Sequence, residues 1–243
     1  MSQTLALPSR KSEAWRYADL DALAALWPLP EAERVMVPAG KRFTRAIVQQ
    51  GGVTQLELVL EHGAQAAVHV LNSGSGYGRV ELNISLHRGA DFTLGGAQLG
   101  TGAANLEIVA TVTHVEPEAT SRQIVRSVLG GTAIGTCLGK VAVAKGAVGT
   151  DAEQSVRAML LDRTATANAK PELEIYADDV KCAHGCAVGE LDAMGLFYLQ
   201  SRGLTPADAK RLMLQAFIAE AFVGAADEER LSALALAELE AML

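Results

Sequence analysis

Polar and apolar residues alternate with a period of two through the middle of this chain. The alternating runs are TQLELVLEHG, AAVHVLN, RVELNISLHRGADFTL, ANLEIVATVTHV, GKVAVAKGAVG and PELEIYADDV. Such runs of five to eight residues predict β-strands that each bury one face. The strands of a doubly wound α/β sheet would be apolar on both faces, so the pattern excludes that fold. We therefore predict that residues 45–190 form an all-β core.

Small residues occupy the apolar positions of these strands, and this narrows the choice of architecture. A β-sandwich, a closed barrel and a β-solenoid all fit the alternation. Alanine, valine, glycine and threonine suit the narrow core of a solenoid, in which each coil packs on the next. Aromatic residues make up only 5% of the chain, which agrees with a core of small aliphatic side chains. The solenoid is therefore favoured, with Gly95-Gly96 and Gly130-Gly131 predicted to lie in its turns.

Helical periodicity appears at the N-terminal end of the chain. In SEAWRYADLDALAAL, apolar residues recur at Trp15, Leu20 and Leu23, with Ser12 as the expected N-cap. Pro28 should stop this helix. The following stretch, WPLPEAERVMVPAGKRF, is interpreted as a linker or an edge passage. Residues 1–44 are thus predicted to be an N-terminal helical segment and linker.

The C-terminal end returns to helical spacing over residues 191–243. Three helices are predicted, in LDAMGLFYLQSRG, TPADAKRLMLQAFIAEAFVGA and ADEERLSALALAELEAML. Thr205 should cap the second of them, with Pro206 at its first position. The last helix should pack on the helix before it, and the pair can present a face to a partner. The apolar face expected on the second helix consists of Leu212, Ala216, Ala219 and Val223.

Composition and charge exclude several classes of protein. The 243 residues carry a net charge of −7 without a cluster of lysine and arginine, which argues against nucleic-acid binding. Three cysteines do not form a disulfide framework. The N-terminus breaks at Pro8 and soon becomes charged, and no apolar stretch approaches the length of a membrane span, so neither a signal peptide nor a membrane role is expected. A cytoplasmic location is the expectation.

The stretch VKCAHGCAVGELD concentrates the candidate chemistry of the chain. Cys182, His184 and Cys186 alternate, so in a strand they share one face, which we expect to point outward. Neighbouring Cα atoms would lie about 6.6 Å apart and the outer pair about 13 Å apart, too far for one metal ion unless Gly185 bends the strand. Zinc sites normally combine two closely spaced pairs, and Cys137 stands alone. The pattern predicts an incomplete metal site that another chain could complete.

Two other interpretations of this stretch remain open. A nucleophilic cysteine would need His184 as its base, but side chains that point outward in parallel do not face each other. The cysteines could also be small hydrophobic residues of a strand, with His184 as an ordinary polar neighbour. The other histidines show no short metal-ligand spacing, and we expect them at strand surfaces: His62, His69, His87 and His114.

Several longer motifs resemble the SufB/SufD family of iron–sulfur cluster assembly proteins, most closely its SufD branch. They are KPELEIYADDVKCAHGCAVGELD, LFYLQSRGL and ADAKRLMLQAF, with GKVAVAKGAVGTDAEQSVRAMLLDRTATANAKPELEI continuing the pattern upstream. KSEAWRYADL resembles the N-terminal entry motif of SufD. The resemblance covers residues 105–222 and the first 25 residues.

The resemblance implies a right-handed parallel β-helix flanked by helical ends, and a scaffold that is not an enzyme. Its partners would be a SufB-like protein and the ABC-type ATPase SufC, the latter docking on the C-terminal helices. His184 would serve in cluster formation or iron acquisition at the SufB–SufD interface, with Cys182 a weaker candidate. Iron or a nascent cluster would bind transiently in the complex, and no tightly bound cofactor is expected in the isolated chain.

The chain departs from the family pattern at three points. Cys186 stands where the family usually has a small residue without a thiol, and so it is an additional candidate ligand. The turn DRTATANAKPE lacks the cysteine that SufB proteins carry there, which favours SufD and implies that the partner supplies the thiolate. The chain is also short for the family, so parts of the helical domain and the β-helix are expected to be trimmed.

Two alternatives to this complex are kept. One is a homodimer formed in isolation. The other is a stand-alone β-solenoid enzyme, either an acyltransferase or a cupin-like metalloenzyme. The hexapeptide period of the former and the His-x-His signature of the latter are missing from the sequence.

Overall fold

The computed structural model describes residues 7–243 and shows a parallel β-solenoid of about five turns. Residues 1–6, which belong to the predicted N-terminal segment, lie outside the described part. The strands alternate between two six-stranded sheets, so that odd-numbered strands form the first sheet and even-numbered strands the second. All neighbouring strands within a sheet run parallel. The predicted solenoid is therefore confirmed over the sandwich and the barrel.

The strands are nearly uniform in length, as stacked coils require. The first sheet consists of β1 (Glu33–Val37), β3 (Gly52–Leu60), β5 (Tyr77–Leu86), β7 (Asn105–His114), β9 (Ile134–Val143) and β11 (Thr166–Ile175). The second sheet consists of β2 (Arg42–Gln49), β4 (Gln65–Gly74), β6 (Asp91–Gly100), β8 (Thr120–Leu129), β10 (Asp151–Leu160) and β12 (Lys181–Gly189). The helices are α1 (Leu20–Ala25), α2 (Ala193–Ser201), α3 (Pro206–Ala219) and α4 (Glu228–Met242), with a 3-10 turn at Glu13–Trp15.

The core lies between the two sheets and is built from the inward half of each alternating run. Leu58 and Leu82 of the first sheet meet Val68 and Leu94 of the second, and all four are buried. The predicted turn at Gly130-Gly131 is present, and Gly131 has a φ of +62°, which glycine adopts without steric cost. The prediction for Gly95-Gly96 is wrong because both glycines lie inside β6.

The N-terminal segment differs from the single helix that was predicted. It forms a 3-10 turn at Glu13–Trp15 and then α1, with Asp19 rather than Ser12 as the residue that caps the helix. The Asp19 carboxylate accepts hydrogen bonds from the backbone N–H groups of Asp21 and Ala22. A strand, β1, lies in the stretch interpreted as linker or edge passage, and it is one of the two edge strands of the first sheet.

The C-terminal segment contains the three predicted helices. Thr205 caps α3 by accepting the N–H of Asp208, with Pro206 as the first helical residue. The apolar face predicted for α3 is not the face that packs on the rest of the protein, because Leu212 and Val223 are exposed, and Val223 lies beyond the end of the helix. Both sides of this helix are apolar, and the side that meets the solenoid is the one that also packs on α4. Its contacts with α4 and the second sheet involve Leu214, Ile218, Phe222, Leu231, Ala235, Leu239, Leu71, Ala97, Leu99 and Val128.

None of the helices in the described part of the chain is long and apolar enough to cross a membrane.

Candidate functional site

The candidate residues lie on β12, the last strand of the second sheet. In this sheet β12 pairs with β10, and Cys182, His184 and Cys186 stand in register with Ala152, Gln154 and Val156. These three residues of β10 are buried between the sheets. Because parallel strands in register place side chains on the same face, the three candidates share the interior face of the solenoid. The prediction that these three side chains point outward is therefore wrong. They lie on the face that forms the core in the preceding coils.

The end of the solenoid is open at this coil. Along β11 and β12 every residue is exposed or only half-buried. Ala169 and Leu173 of β11 pack on the core below them, while His184 and Cys186 on the opposite strand are exposed. A solenoid needs a polar or covered end to avoid self-association. An uncovered end with an apolar interior therefore indicates a surface that meets another molecule.

The thiols of this coil occupy unequal environments. Cys186 Sγ lies 3.9 Å from the carbonyl oxygen of Ala169, so it reaches from one sheet to the other. Cys137, one coil deeper and in register with Ala169, is buried, and burial raises its pKa to about 12, with a smaller contribution from Cys186. Burial also raises the pKa of Cys182, helped by the charge of Asp151. Raised pKa values keep Cys137 and Cys182 as thiols, which disfavours a nucleophilic role for Cys182.

The candidate residues do not converge on one point. Among the described residues, no group of three or more histidine, cysteine, aspartate or glutamate side chains is placed to hold a metal ion. This agrees with the spacing of alternate residues along an extended strand. The imidazole of His184 is thus exposed on an uncovered face, where a molecule from outside the chain can reach it.

Two of the other histidines are buried, although the sequence placed them at strand surfaces. His114 is enclosed in the core, where burial lowers its pKa to about 4 and its Nε2 pairs with Ser121 Oγ at 2.9 Å. His69 lies under the C-terminal helices, and burial lowers its pKa as well. Both are parts of the packed structure rather than of the open end.

Sequence reasoning missed the residues directly beneath His184. Gln154 stands in register with His184 and is only 2% exposed, and Gln123 lies one coil deeper in the same column. The signal was present in DAEQSVRAML, where a glutamine falls between the inward-facing Ala152 and Val156. It could not be interpreted without knowing which face of this run is inward.

A second surface lies on the helices after β12. On α2, Met194, Phe197 and Tyr198 are 72%, 66% and 57% exposed, and on α3 Leu212 is 46% exposed. Large apolar side chains this exposed, on adjacent helices, are typical of a docking surface.

Comparison with known proteins agrees with this geometry. Residues 48–217 match the family model described as the SufBD core domain of the SUF system for FeS cluster assembly. The matched range covers the solenoid from β3 onward, the whole of α2 and most of α3.

Individual relatives share segments of this range. The chain is 39% identical over 108 residues to iron-sulfur cluster assembly protein SufD of Escherichia coli, covering 44% of this chain and 26% of the relative. It is 39% identical over 110 residues to a SufBD family protein of Synechocystis, covering 45% and 24%. SufD of Bacillus subtilis is 40% identical over 74 residues, covering 30% and 17%. The matches thus span about a quarter or less of the length of these relatives.

Proposed function

This chain belongs to the SufB/SufD family of iron–sulfur cluster assembly proteins and is close to SufD, and from this we propose that it is a non-enzymatic scaffold of a SUF assembly complex. It pairs with a SufB-like protein through the open end of its solenoid and with a SufC-type ATPase through its C-terminal helices. Iron or a nascent cluster is the cargo of the interface between the two solenoids. The complex works in the cytoplasm.

The observation that carries the proposal is the exposed His184 on the uncovered interior face of the last coil. In the described chain the outer edge of β12 has no strand partner, so its backbone groups are available to a partner strand. A second solenoid set against this end would cover the half-buried Ala169 and Leu173. The same contact would enclose His184 at the interface.

The proposed chemistry of His184 is ligation of iron through one imidazole nitrogen. Imidazole and thiolate are both suitable iron ligands, and the partner chain would supply the thiolate. An assembly site must also release its cluster, and one histidine shared with a partner gives weak, reversible ligation. Cys182 is the second candidate, and the exposed Cys186 is an additional thiol at the same end.

The proposed ATPase contact uses the apolar side chains of α2 and α3. Only residues 190–192 separate α2 from β12, and α3 follows α2 in the chain. Movement of the ATPase during its cycle would therefore act on the strand that carries His184. This connection gives ATP-driven motion a short route to the interface.

Replacing His184 by alanine should remove most of the cluster from the complex. The chain would be coexpressed with SufB-like and SufC-like partners, purified anaerobically, and assayed for iron and sulfide. We expect about a tenfold or larger loss of bound cluster, because losses of this size follow even from changes near a metal ligand. His62→Ala is the matched control, since His62 is exposed on a turn far from β12 along the chain.

Cluster at the wild-type level on an intact His184→Ala complex would contradict the role of His184. Failure of the wild-type chain to copurify with either partner would contradict the scaffold function itself.

Aspartate at both Met194 and Phe197 should weaken ATPase binding without unfolding the chain. Both side chains are largely exposed, so the change costs little packing. Loss of two apolar anchors should weaken binding about 30-fold, the equivalent of ~2 kcal/mol. Pull-down and calorimetric titration with the ATPase measure the effect. Met36→Asp is the control, because Met36 is 64% exposed on β1 and lies outside this surface. If the double variant and this control bind the ATPase equally well, then α2 is not part of the binding surface.

A further inference from the structure

We propose that Gln154 is the positioning residue of His184. Its side-chain carbonyl accepts the proton of one imidazole nitrogen and leaves the lone pair of the other nitrogen facing the open end. The inference rests on the proposed function, since it assigns the group that orients the ligand of the interface. Gln154 itself does not touch the cargo.

The first observation is that Gln154 is a buried amide without a partner. The residue is 2% exposed, and neither Nε2 nor Oε1 makes a hydrogen bond within the described chain. A buried amide left unpaired is costly, and native proteins leave few of them. A change of side-chain conformation that brings Oε1 to a donor would remove part of this cost.

Two amides on the same interior face of the solenoid have bonded N–H groups, unlike Gln154 and its neighbour Gln123, whose Nε2 is also a buried atom without a partner. Gln154 differs from Gln123 because its Oε1 is a buried atom without a partner as well. Asn72 donates to the backbone carbonyls of Gly78 and Glu107. Gln98 donates to those of Leu106 and Thr136 and accepts from the hydroxyl of Ser127. These residues bridge the two sheets, so the fold can satisfy an interior amide where its role is structural.

The geometry places Gln154 within reach of His184. The two residues are in register on adjacent parallel strands, where backbones lie about 4.8 Å apart. Space around the Gln154 amide is provided by Gly139 on the opposite sheet, where an added Cβ would lie 3.0 Å from Gln154 Nε2. His184 is exposed, so its ring can turn about its own side-chain bonds to meet the amide without backbone movement.

Residues in register on successive strands of the second sheet form a column, and the column that contains Gln154 changes from apolar to polar toward the open end. In successive coils it holds Val68, Leu94, Gln123, Gln154 and His184. The neighbouring column ends in Val125, Val156 and Cys186 and has no such polar step. Polar residues thus enter the core beneath His184, where they can offer the imidazole an internal acceptor. Histidine ligands commonly donate their second ring N–H to a carbonyl or carboxylate, and this bond fixes the tautomer.

The test is the tautomer of His184 in the isolated full chain. The chain labelled with ¹⁵N-histidine gives long-range proton–nitrogen correlations for each ring, and the spectrum of His184→Ala assigns the signals of His184. Gln154→Met removes the acceptor and keeps the volume, and we expect it to change the ratio of the two tautomers roughly fivefold, as the loss of one hydrogen bond implies. Gln154→Glu should keep or strengthen the wild-type preference at neutral pH, because its carboxylate accepts the same proton.

Gln123→Met is the matched control. Gln123 is equally enclosed but lies two strand spacings from His184, about 9.6 Å, and cannot reach the ring. It should leave the ratio unchanged. The inference is overturned if Gln154→Met leaves the ratio unchanged, if Gln123→Met alters it as much, or if Gln154→Glu loses the preference. This readout needs neither partner nor cluster, so its failure is distinct from cluster retention by His184→Ala, which would contradict the proposed function.

Discussion

Replacing Arg79 by methionine is expected to lower the free energy of unfolding by about 3–5 kcal/mol, the usual cost of leaving one member of a buried ion pair behind. The Arg79 guanidinium is fully buried and contacts the carboxylates of Glu107 at 2.5 Å and Glu81 at 3.0 Å. It also lies 3.9 Å from the centre of the Trp15 ring and donates to the carbonyl of Ala14. Arg79 therefore joins the N-terminal segment to the outer face of the first sheet.

The loss should depend on pH in a defined direction. Burial raises the pKa of Glu107, and Arg79 opposes this rise. Without Arg79 the pKa should rise further, so the folded variant binds a proton that the unfolded chain releases. A group with a raised folded pKa loses its contribution as the pH rises through that value. The variant should therefore be closest to wild type at acid pH, and the gap should widen toward neutral pH.

Thermal and denaturant unfolding followed by circular dichroism measure this effect. Arg122→Met is the control, since Arg122 pairs with Glu153 while its side chain is 71% exposed. That exposed pair should contribute less than about 1 kcal/mol. Equal losses in the two variants at neutral pH would show that the Arg79 cluster does not fasten the N-terminal segment.

The solenoid could be predicted because polar and apolar residues alternate within the sequence of each strand, as in RVELNISL and ANLEIVATV. The caps of α3 are equally local, since Thr205 and Pro206 act on the turn they begin. The split of the N-terminal helix could not be predicted in this way. Trp15, the last residue of the 3-10 turn, packs on Arg79, which is 64 residues away in the sequence. A contact between such distant residues depends on the whole fold and cannot be predicted from the local pattern.

The candidate site shows the same division. A shared face for Cys182, His184 and Cys186 follows from the period of a strand, and so does their failure to converge. That this face is the interior one follows from the register of β12 on β10, which depends on the lengths of all preceding coils. The buried amide of Gln154 could be recognised only once that register was known.

Replacing Gly95 by alanine should loosen the C-terminal helices from the solenoid. Gly95 lies on the outer face of β6, where an added Cβ would stand 1.9 Å from the carbonyl oxygen of Ala221 and 2.7 Å from the His69 ring. The carbonyl belongs to the backbone after α3, so the clash is relieved only if the helical pair moves away. Overpacking of this kind typically costs about 1–3 kcal/mol, and we expect the upper end because backbone must shift.

Because α3 and α4 pack on the sheet through Leu214, Ile218 and Leu231, their displacement would also expose apolar surface. Hydrogen exchange should show that protection in α3 and α4 falls below the wild-type level. Protection in β7 and β9, which do not contact this site, should stay at the wild-type level. ATPase binding should weaken together with the protection of α3 and α4, since α2 and α3 carry the proposed docking surface. Gly76→Ala is the matched control, because Gly76 has no atom within 4 Å of its added Cβ. If Gly95→Ala keeps full protection in α3 and α4, then the close approach at Gly95 does not hold these helices on the solenoid.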